Sequence, residues 1–261
     1  MSTERADGRL VIGLGSGRSG TASLTSLFNR QPGGLCFHEL NPACAVFQGN
    51  AQAPLNTVRE FRQILQGGDK SRLTVDYSRP ASVETYRQLQ SMSAVSLIGD
   101  IAFYYLNYVD DLLLADPDCV FVCIRRERQE TVQSWLQKSS IKRWPSLWWG
   151  DRIRAWLTRT PFYTAYNYWQ EHDGSYWKKD PVWDSAFPKF QAASREQAIG
   201  MYWDTYYTQA ETLQQRYPQH FRIFDISALS HPQGQREILA FIGLDDSAMV
   251  VGQEAHLHKS A

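Results

Sequence analysis

The chain has 261 residues, 43% of them hydrophobic, and its 27 acidic and 27 basic side chains give a formal net charge of zero. This length and composition predict one globular domain over residues 1–261 with a sizeable core. The balanced charge argues against a general binder of nucleic acid or membrane surfaces, and no apolar run is long enough for stable membrane insertion.

The first predicted element is a buried strand at about 10–14, followed by a glycine-rich segment and a helix at about 20–30. The segment contains three glycines and five donor side chains: Gly15, Gly17, Gly20, Ser16, Arg18, Ser19, Thr21 and Ser23. Glycines let backbone N–H groups converge, and the positive end of a helix dipole favours negative charge. The segment therefore predicts a site for a phosphate or a phosphate-like anion.

Two known loop patterns overlap in this segment. Residues 15–20 satisfy the dinucleotide fingerprint G-x-G-x-x-G, and Glu39 lies near the distance expected for a ribose contact. The same glycines fit the nucleotide-triphosphate loop G-x-x-x-x-G-K-[ST], but Thr21 stands where that loop has its lysine. Arg18 followed by Ser-Gly-Thr suits a compact tetrahedral anion held by a forked cation. A simple tight turn between strand and helix is the remaining alternative.

A second strand is predicted at 35–38 and ends in His38 and Glu39. Both residues would emerge at the edge of the sheet where the glycine loop lies. Because side chains alternate along a strand, only one of the two is expected to face the site.

A third strand is predicted at 95–99, with Asp100 at its end. Asp100 is interpreted either as the N-cap of a helix over 101–115 or as a group that orients Arg18 or contacts a substrate. Asp76 raises the same question.

A fourth strand is predicted at 119–125 and places Arg126 at its carboxyl end, where open parallel sheets bind ligands. Ser134 follows eight residues later, in a helix predicted over 128–138. The spacing brings a cation and a hydroxyl to the same edge of the sheet as the glycine loop.

The segment 135–193 does not fit the alternation of strands and helices. It contains eight of the nine tryptophans, together with interspersed tyrosines, lysines and arginines. One interpretation is an insertion that forms the acceptor wall or a lid, since tryptophan faces stack on sugars or apolar rings. The alternatives are a satellite core beneath long loops, or a surface for single-stranded nucleic acid.

The remaining predicted elements complete a β–α alternation. Helices are predicted at 57–67, 80–91, 195–216 and 233–242, and the last strand at 221–226. Ser194 and Gln197 form a capping-box signature, and Pro218 ends the helix that they begin. The order predicts a three-layer, P-loop-like α/β fold with a central parallel sheet of about five strands.

The four cysteines form neither a disulfide framework nor a zinc pattern. Cys36 and Cys44 flank His38 without a familiar ligand spacing, and Cys119 and Cys123 lie inside a strand as small hydrophobes. No metal site is expected. The polar segment 1–8 is unlike a signal peptide, and a reducing cytoplasm is the predicted compartment.

Two of these motifs together resemble a known family, the sulfotransferases that use 3′-phosphoadenosine 5′-phosphosulfate (PAPS). Gly17-Arg-Ser-Gly-Thr21 is similar to their 5′-phosphosulfate loop, and Arg126 with Ser134 matches the arginine and serine that hold the 3′-phosphate. The resemblance implies a PAPS donor, adenosine 3′,5′-bisphosphate as the product and no required metal. It implies these donor-binding residues: Gly17, Arg18, Ser19, Gly20, Thr21, Ala22, Ser23, Arg126 and Ser134.

The arginine in the loop and the acidic residue after its helix are more similar to the tyrosylprotein and carbohydrate branches than to the cytosolic phenol type. The chain lacks the late Arg-Lys-Gly motif of that type, and Lys259 is only a candidate substitute. By this similarity, Glu39 is the expected general base and Arg18 the cation near the leaving phosphate. His38 is the competing base, because an imidazole titrates near neutral pH. A surface salt bridge is the alternative role of Glu39.

The implied reaction is in-line sulfuryl transfer to a hydroxyl or amine of a small-molecule, glycan or lipid acceptor. Two other classes of protein remain open. One is a nucleotide kinase or NTPase that has lost its lysine, and the other is a nucleotide-binding protein without catalytic turnover.

Overall fold

The structure is a computed structural model, and it describes residues 8–40, 51–77, 79–140, 153, 157, 169, 172–175 and 187–252. Cys44, Lys259 and most of the tryptophan-rich segment lie outside the described residues. None of the helices in the described ranges is both long and apolar enough to cross a membrane.

Five parallel strands form one sheet in the order β2-β3-β1-β4-β5. The strands are β1 (Arg9–Leu14), β2 (Gly34–His38), β3 (Leu97–Ile101), β4 (Val120–Arg125) and β5 (Phe221–Asp225). The predicted parallel sheet of about five strands is therefore confirmed.

The helices of the described ranges alternate with these strands. They are α1 (Thr21–Asn29), α2 (Gln52–Leu65), α3 (Pro80–Ser91), α4 (Val109–Ala115), α5 (Arg128–Ser140), α6 (Arg195–Arg216) and α7 (Pro232–Phe241). Short 3₁₀ helices occupy Lys70–Arg72, Phe103–Tyr108, Ile226–Ser230 and Asp246–Ala248. Helix α6 begins as predicted, with the Ser194 hydroxyl accepting the Gln197 N–H at 3.2 Å.

The sheet separates two apolar clusters and forms the middle of three layers. Leu10 and Ile12 of β1 face the cluster covered by α2, α5 and α6, whereas Val11 faces the cluster covered by α1 and α7. The helices that follow the neighbouring strands β1 and β4 thus lie on opposite faces. Their divergence leaves a crevice at the carboxyl ends of these strands, the usual ligand position in open α/β sheets.

Three predicted boundaries are wrong. Strand β3 runs over Leu97–Ile101 rather than 95–99, because the carboxyl group of Asp100 finds buried hydrogen-bond donors and does not end the strand. The helix predicted over 101–115 is a 3₁₀ helix followed by α4. Helix α2 begins at Gln52 rather than 57, since Pro54 lies in its first turn, where no backbone N–H is needed.

Candidate active site

A cleft of about 220 Å³ opens at the carboxyl edge of the sheet. It brings together the glycine loop, the end of β2 and the pocket-facing side of α5. The described residues that line it are Gly17, Arg18, Gly20, Thr21, Ala22, Ser23, His38, Glu39, Phe103, Arg126, Trp135, Lys138, Phe187 and Ile226. Of the described residues that the sequence predicts to bind the donor or to act in catalysis, Ser19 and Ser134 do not line the cleft, and Ser134 contacts Arg18 directly.

The glycine loop turns the chain from β1 into α1. Gly17 and Gly20 have φ of 78° and 96°, and Arg18 between them has φ of 57°. Gly20 is the N-cap of α1, and no side chain caps this helix end. The first-turn N–H groups and the positive end of the helix dipole therefore face the cleft without a carboxylate in that turn.

Two tyrosines of α6 support the loop from below. The Tyr206 hydroxyl accepts the Gly15 N–H at 3.0 Å, and the Tyr207 hydroxyl lies 3.4 Å from Ser16 Oγ while it donates to the Ile124 carbonyl at 2.8 Å. Burial raises the pKa of both tyrosines, so both remain neutral phenols. The two side chains that support the loop from below are thus uncharged. Ser19 is fully buried here, which gives it a structural place beneath the loop rather than on the cleft wall.

Arg18 connects the loop to α5. Its Nε donates a 2.9 Å hydrogen bond to Ser134 Oγ, and Arg126 Nη1 lies 3.5 Å from the Arg18 carbonyl oxygen. Burial lowers the pKa of Arg18, and the neighbouring Arg126 lowers it further. No carboxylate pairs with Arg18 among the described residues. Two adjacent guanidinium groups in a half-buried position favour an anionic ligand.

Arg126 follows β4 directly, as predicted, and its orientation is fixed by two contacts. Its Nε pairs with Glu130 at 2.9 Å, and its carbonyl oxygen accepts the Trp203 indole N–H at 3.2 Å. Ser134 lies one turn beyond Glu130 on the same side of α5 and is 6% exposed. Arg126, just before α5, and Ser134, within it, therefore both lie next to Arg18.

His38 and Glu39 both line the cleft, so the expectation that only one would do so is wrong. Strand β2 ends at His38, and Glu39 adopts φ of 56°, which breaks the alternation of side chains. His38 Nε2 lies 3.1 Å from Thr21 Oγ1. The Glu39 carboxylate pairs with Arg79 at 2.6 Å, and both side chains are about a quarter exposed or less.

Asp100 is neither a helix cap nor a partner of Arg18. It is fully buried within β3, and its carboxyl group accepts the Leu40 N–H and the hydroxyls of Tyr104 and Tyr105. Burial raises the pKa of Asp100, an effect that the Tyr105 and Leu40 hydrogen bonds oppose. Asp76 is also buried, at 4% exposure, and does not line the cleft.

Aromatic rings form one wall of the cleft. Phe187 makes edge contacts with Phe103 at 5.4 Å and with Trp135 at 5.5 Å between ring centroids, and Lys138 Nζ lies 5.1 Å above the Trp135 ring. Trp135, Trp169 and Phe187 are at most 3% exposed. For these described rings, the satellite-core interpretation of the aromatic segment fits better than an exposed stacking surface.

Five described residues that line the cleft are not predicted as site residues by the sequence: Phe103, Trp135, Lys138, Phe187 and Ile226. Arg79 does not line the cleft, but it pairs with Glu39 and is not predicted either. Arg79 reaches Glu39 from the residue before α3, and Ile226 begins the 3₁₀ helix after β5. Their roles depend on contacts between distant segments, and no local pattern marks them. Trp135 is predicted only as part of the aromatic segment. Its position directly after Ser134 is the one local signal that could have placed it in the cleft.

The fold and the cleft define an α/β protein with an open parallel sheet and a basic, glycine-lined crevice at its carboxyl edge. Neither protein-family models nor curated protein sequences match the chain. Among solved structures, it is similar to a sulfotransferase from Alicyclobacillus acidocaldarius, with 13% identity, a TM-score of 0.47, and coverage of 97% of this chain and 86% of that one.

It is also similar to the sulfotransferase domain from the curacin biosynthetic pathway. The identity is 12%, the TM-score 0.42, and the coverage 97% of this chain and 83% of the other. Both neighbours are sulfotransferases, the family that the two sequence motifs resemble. Because both TM-scores are below 0.5, the proposal for function rests on the residues of the cleft.

Proposed function

We propose that the protein is a PAPS-dependent sulfotransferase. The observation that carries the proposal is the meeting of the two motifs: Arg18 of the glycine loop donates to Ser134 of α5, and Arg126 lies against the same loop. The two motifs are more than 100 residues apart in the sequence. A nucleotide with a 3′-phosphate and a 5′-phosphosulfate would present one anionic group to each motif.

The residues of the cleft fit such a donor. The first turn of α1, Gly20 and Thr21 offer backbone N–H groups and a hydroxyl to the 5′-phosphosulfate, with Arg18 as the cation. Arg126 and Ser134 offer a guanidinium and a hydroxyl to the 3′-phosphate. Arg18 would then stabilise the charge that develops on the phosphate as the bond between sulfur and the bridging oxygen breaks.

Glu39 is the proposed general base. Its carboxylate is oriented by Arg79 and lies on the same cleft wall as the loop. The base removes the acceptor's proton while the acceptor oxygen or nitrogen forms its bond to sulfur, and adenosine 3′,5′-bisphosphate leaves. His38 contacts Thr21 through Nε2, which favours a role in holding the loop and the end of β2 together.

The acceptor is proposed to be a hydroxyl or amine of a small molecule, glycan or lipid. Phe103, Trp135 and Phe187 give the cleft an apolar wall close to Glu39. The 135–193 segment is proposed to contribute to the acceptor side.

A nucleotide kinase fits the cleft less well. Thr21 occupies the position of the lysine that contacts terminal phosphates, and its hydroxyl is already within 3.1 Å of His38. A nucleotide-binding protein without turnover would bind the same donor but catalyse no reaction. Substitution of Glu39 would then change no reaction rate.

A thermal-shift panel tests the proposal, because a ligand that binds only the folded state stabilises it by an amount that increases with its affinity. Adenosine 3′,5′-bisphosphate is expected to raise the melting temperature, whereas ATP with magnesium and NAD are not. Release of the bisphosphate from PAPS, measured with a library of phenols, alcohols, amines and sugars, then reports turnover. A response to ATP with magnesium alone would contradict the proposal.

A further inference from the structure

A buried acidic side chain contacts the segment that carries Glu39. Asp100 is 0% exposed, and both of its carboxyl oxygens lie 3.1 Å from the Leu40 amide nitrogen. The Tyr105 hydroxyl donates to Oδ2 at 2.8 Å and the Tyr104 hydroxyl at 3.3 Å. Among the described residues, these donors are a backbone amide and two phenols, and no salt bridge neutralises the group.

Glu39 has a backbone conformation that needs support. Its φ of 56° lies in the left-handed region, which a non-glycine residue occupies only when the surrounding structure holds it there. The Glu39 N–H donates to the Ile101 carbonyl at 3.0 Å, and the next N–H, that of Leu40, donates to Asp100. Two consecutive amides of this turn are therefore bound to β3.

We propose that Asp100 is a positioning residue for Glu39. Its carboxyl group holds the Leu40 amide, fixes the left-handed turn, and so aims the Glu39 carboxylate into the cleft beside Arg79. Asp100 itself does not line the cleft and does not contact substrate. The inference rests on the proposed function, in which Glu39 removes the acceptor's proton.

The surroundings of Asp100 show what its carboxyl group contributes. Its neighbours on the same side of β3 and β2 are the apolar Ile98, Leu35 and Phe37, where a carboxyl group is costly to bury. A hydrophobic residue of similar size would fill this space. With such a residue, however, the Leu40 amide and the hydroxyls of Tyr104 and Tyr105 would have no acceptor at this position.

Asp100→Asn tests the proposal with little change in volume. Because both carboxyl oxygens are equally close to the Leu40 nitrogen, an amide at this position sets its NH₂ group against the Leu40 N–H. We expect turnover to fall at least about 30-fold, while the dissociation constant of adenosine 3′,5′-bisphosphate changes less than about twofold. Amide hydrogen exchange at Glu39 and Leu40 should become faster.

Asp116→Asn is the matched control. Asp116 is also a buried aspartate, at 6% exposure, but it pairs with Arg62 at the opposite edge of the sheet. This substitution should lower stability and leave turnover, bisphosphate affinity and Leu40 exchange as in the wild type. Equal effects of the two substitutions on all readouts would reduce Asp100 to a core residue and overturn the inference.

A double-mutant cycle with Glu39→Gln shows whether Asp100 acts through Glu39. We expect Asp100→Asn to cause little further loss of turnover once Glu39 is glutamine, because the positioned group is gone. An equal loss in both backgrounds would overturn the inference. If Asp100→Asn does not fold, Tyr105→Phe removes one donor to the carboxyl group, and the same cycle and exchange measurement apply.

The proposed function and this inference fail differently. Wild-type protein that neither binds adenosine 3′,5′-bisphosphate nor releases it from PAPS would contradict the proposed function. Exchange at Leu40 needs no substrate, so an unchanged rate in Asp100→Asn and Tyr105→Phe overturns the positioning role even in an active enzyme.

Discussion

Arg18 and Ser134 are 116 residues apart in the sequence, and the Nε of Arg18 donates a 2.9 Å hydrogen bond to the Ser134 hydroxyl. The contact joins the glycine loop after β1 to the helix after β4. It also places the two proposed anion sites side by side in one crevice.

Substitution of Arg126 should affect one phosphate of the donor selectively. Arg126→Ala is expected to weaken adenosine 3′,5′-bisphosphate by about 2–5 kcal/mol, and adenosine 5′-phosphate much less, because the guanidinium is assigned to the 3′-phosphate. Isothermal titration calorimetry measures both. Arg128→Ala, whose arginine pairs with Asp204 instead, is the control and should bind both ligands normally. Equal weakening of the two ligands by Arg126→Ala would place this arginine elsewhere.

Arg18 should contribute to turnover beyond donor binding. Arg18→Ala is expected to lower kcat at saturating donor. Arg18→Lys should restore part of kcat, since the role requires a positive charge more than the bidentate geometry of a guanidinium group. Both variants keep a non-glycine residue at φ of 57°, so neither changes the backbone demand of the loop. Steady-state kinetics with varied PAPS provides the test. A change in the apparent affinity alone, with kcat intact, would remove Arg18 from the chemical step.

Gly17 should be required for the shape of the loop. A Cβ at Gly17 would lie 2.6 Å from Trp135 Cζ2, so Gly17→Ala displaces the ring or the loop and should lose most of the affinity for the bisphosphate. Gly67→Ala is a close control, because Gly67 has a φ of 81° against 78° at Gly17 but no atom within 4 Å of the added Cβ. Both should lose about 1 kcal/mol of stability from backbone strain. Equal bisphosphate binding by the two variants would contradict the prediction.

Glu39→Gln should separate binding from chemistry. It keeps the shape of the side chain and removes the proton acceptor, so donor affinity should remain while turnover falls by about 10²–10⁴-fold. Glu60→Gln, in which the glutamate receives the Thr74 N–H far from the cleft, should be as active as the wild type. Near-normal turnover of Glu39→Gln together with an inactive His38→Ala would transfer the role of base to His38.

Stability should depend on pH through His172. Burial lowers the pKa of this histidine, whose Nδ1 accepts the Gly174 N–H and whose Nε2 lies 2.9 Å from the Phe190 carbonyl oxygen. The unfolded chain, with a histidine pKa of about 6.5, then binds more protons than the folded one just below that pH. The free energy of unfolding should therefore fall as the pH drops below about 6.5.

Urea unfolding at pH 7.5 and at pH 5.5 measures this dependence. His172→Gln should reduce the difference in the free energy of unfolding between the two pH values, because glutamine does not titrate. An unchanged difference would contradict the assignment of this pH dependence to His172.

Local signals in the sequence were sufficient for the order of the elements and for both motifs. Apolar runs, glycines and the cap at Ser194 act over a few residues, so their structural consequences can be predicted without knowing the fold. The eight-residue interval from Arg126 to Ser134 is likewise local, since it runs from the residue after β4 into the helix that follows. These patterns determined the parallel α/β sheet and most of the residues that line the cleft.

Tertiary structure alone decided which side chains meet and how they are oriented. Glu39 joins His38 in the cleft because a left-handed residue follows β2, and that conformation depends on Asp100 and Ile101 of a neighbouring strand. Arg79 reaches Glu39 across 40 residues, and Asp100 is buried rather than capping a helix. Such contacts join segments that are distant in the sequence, and their energies depend on burial and on partners that no local pattern specifies.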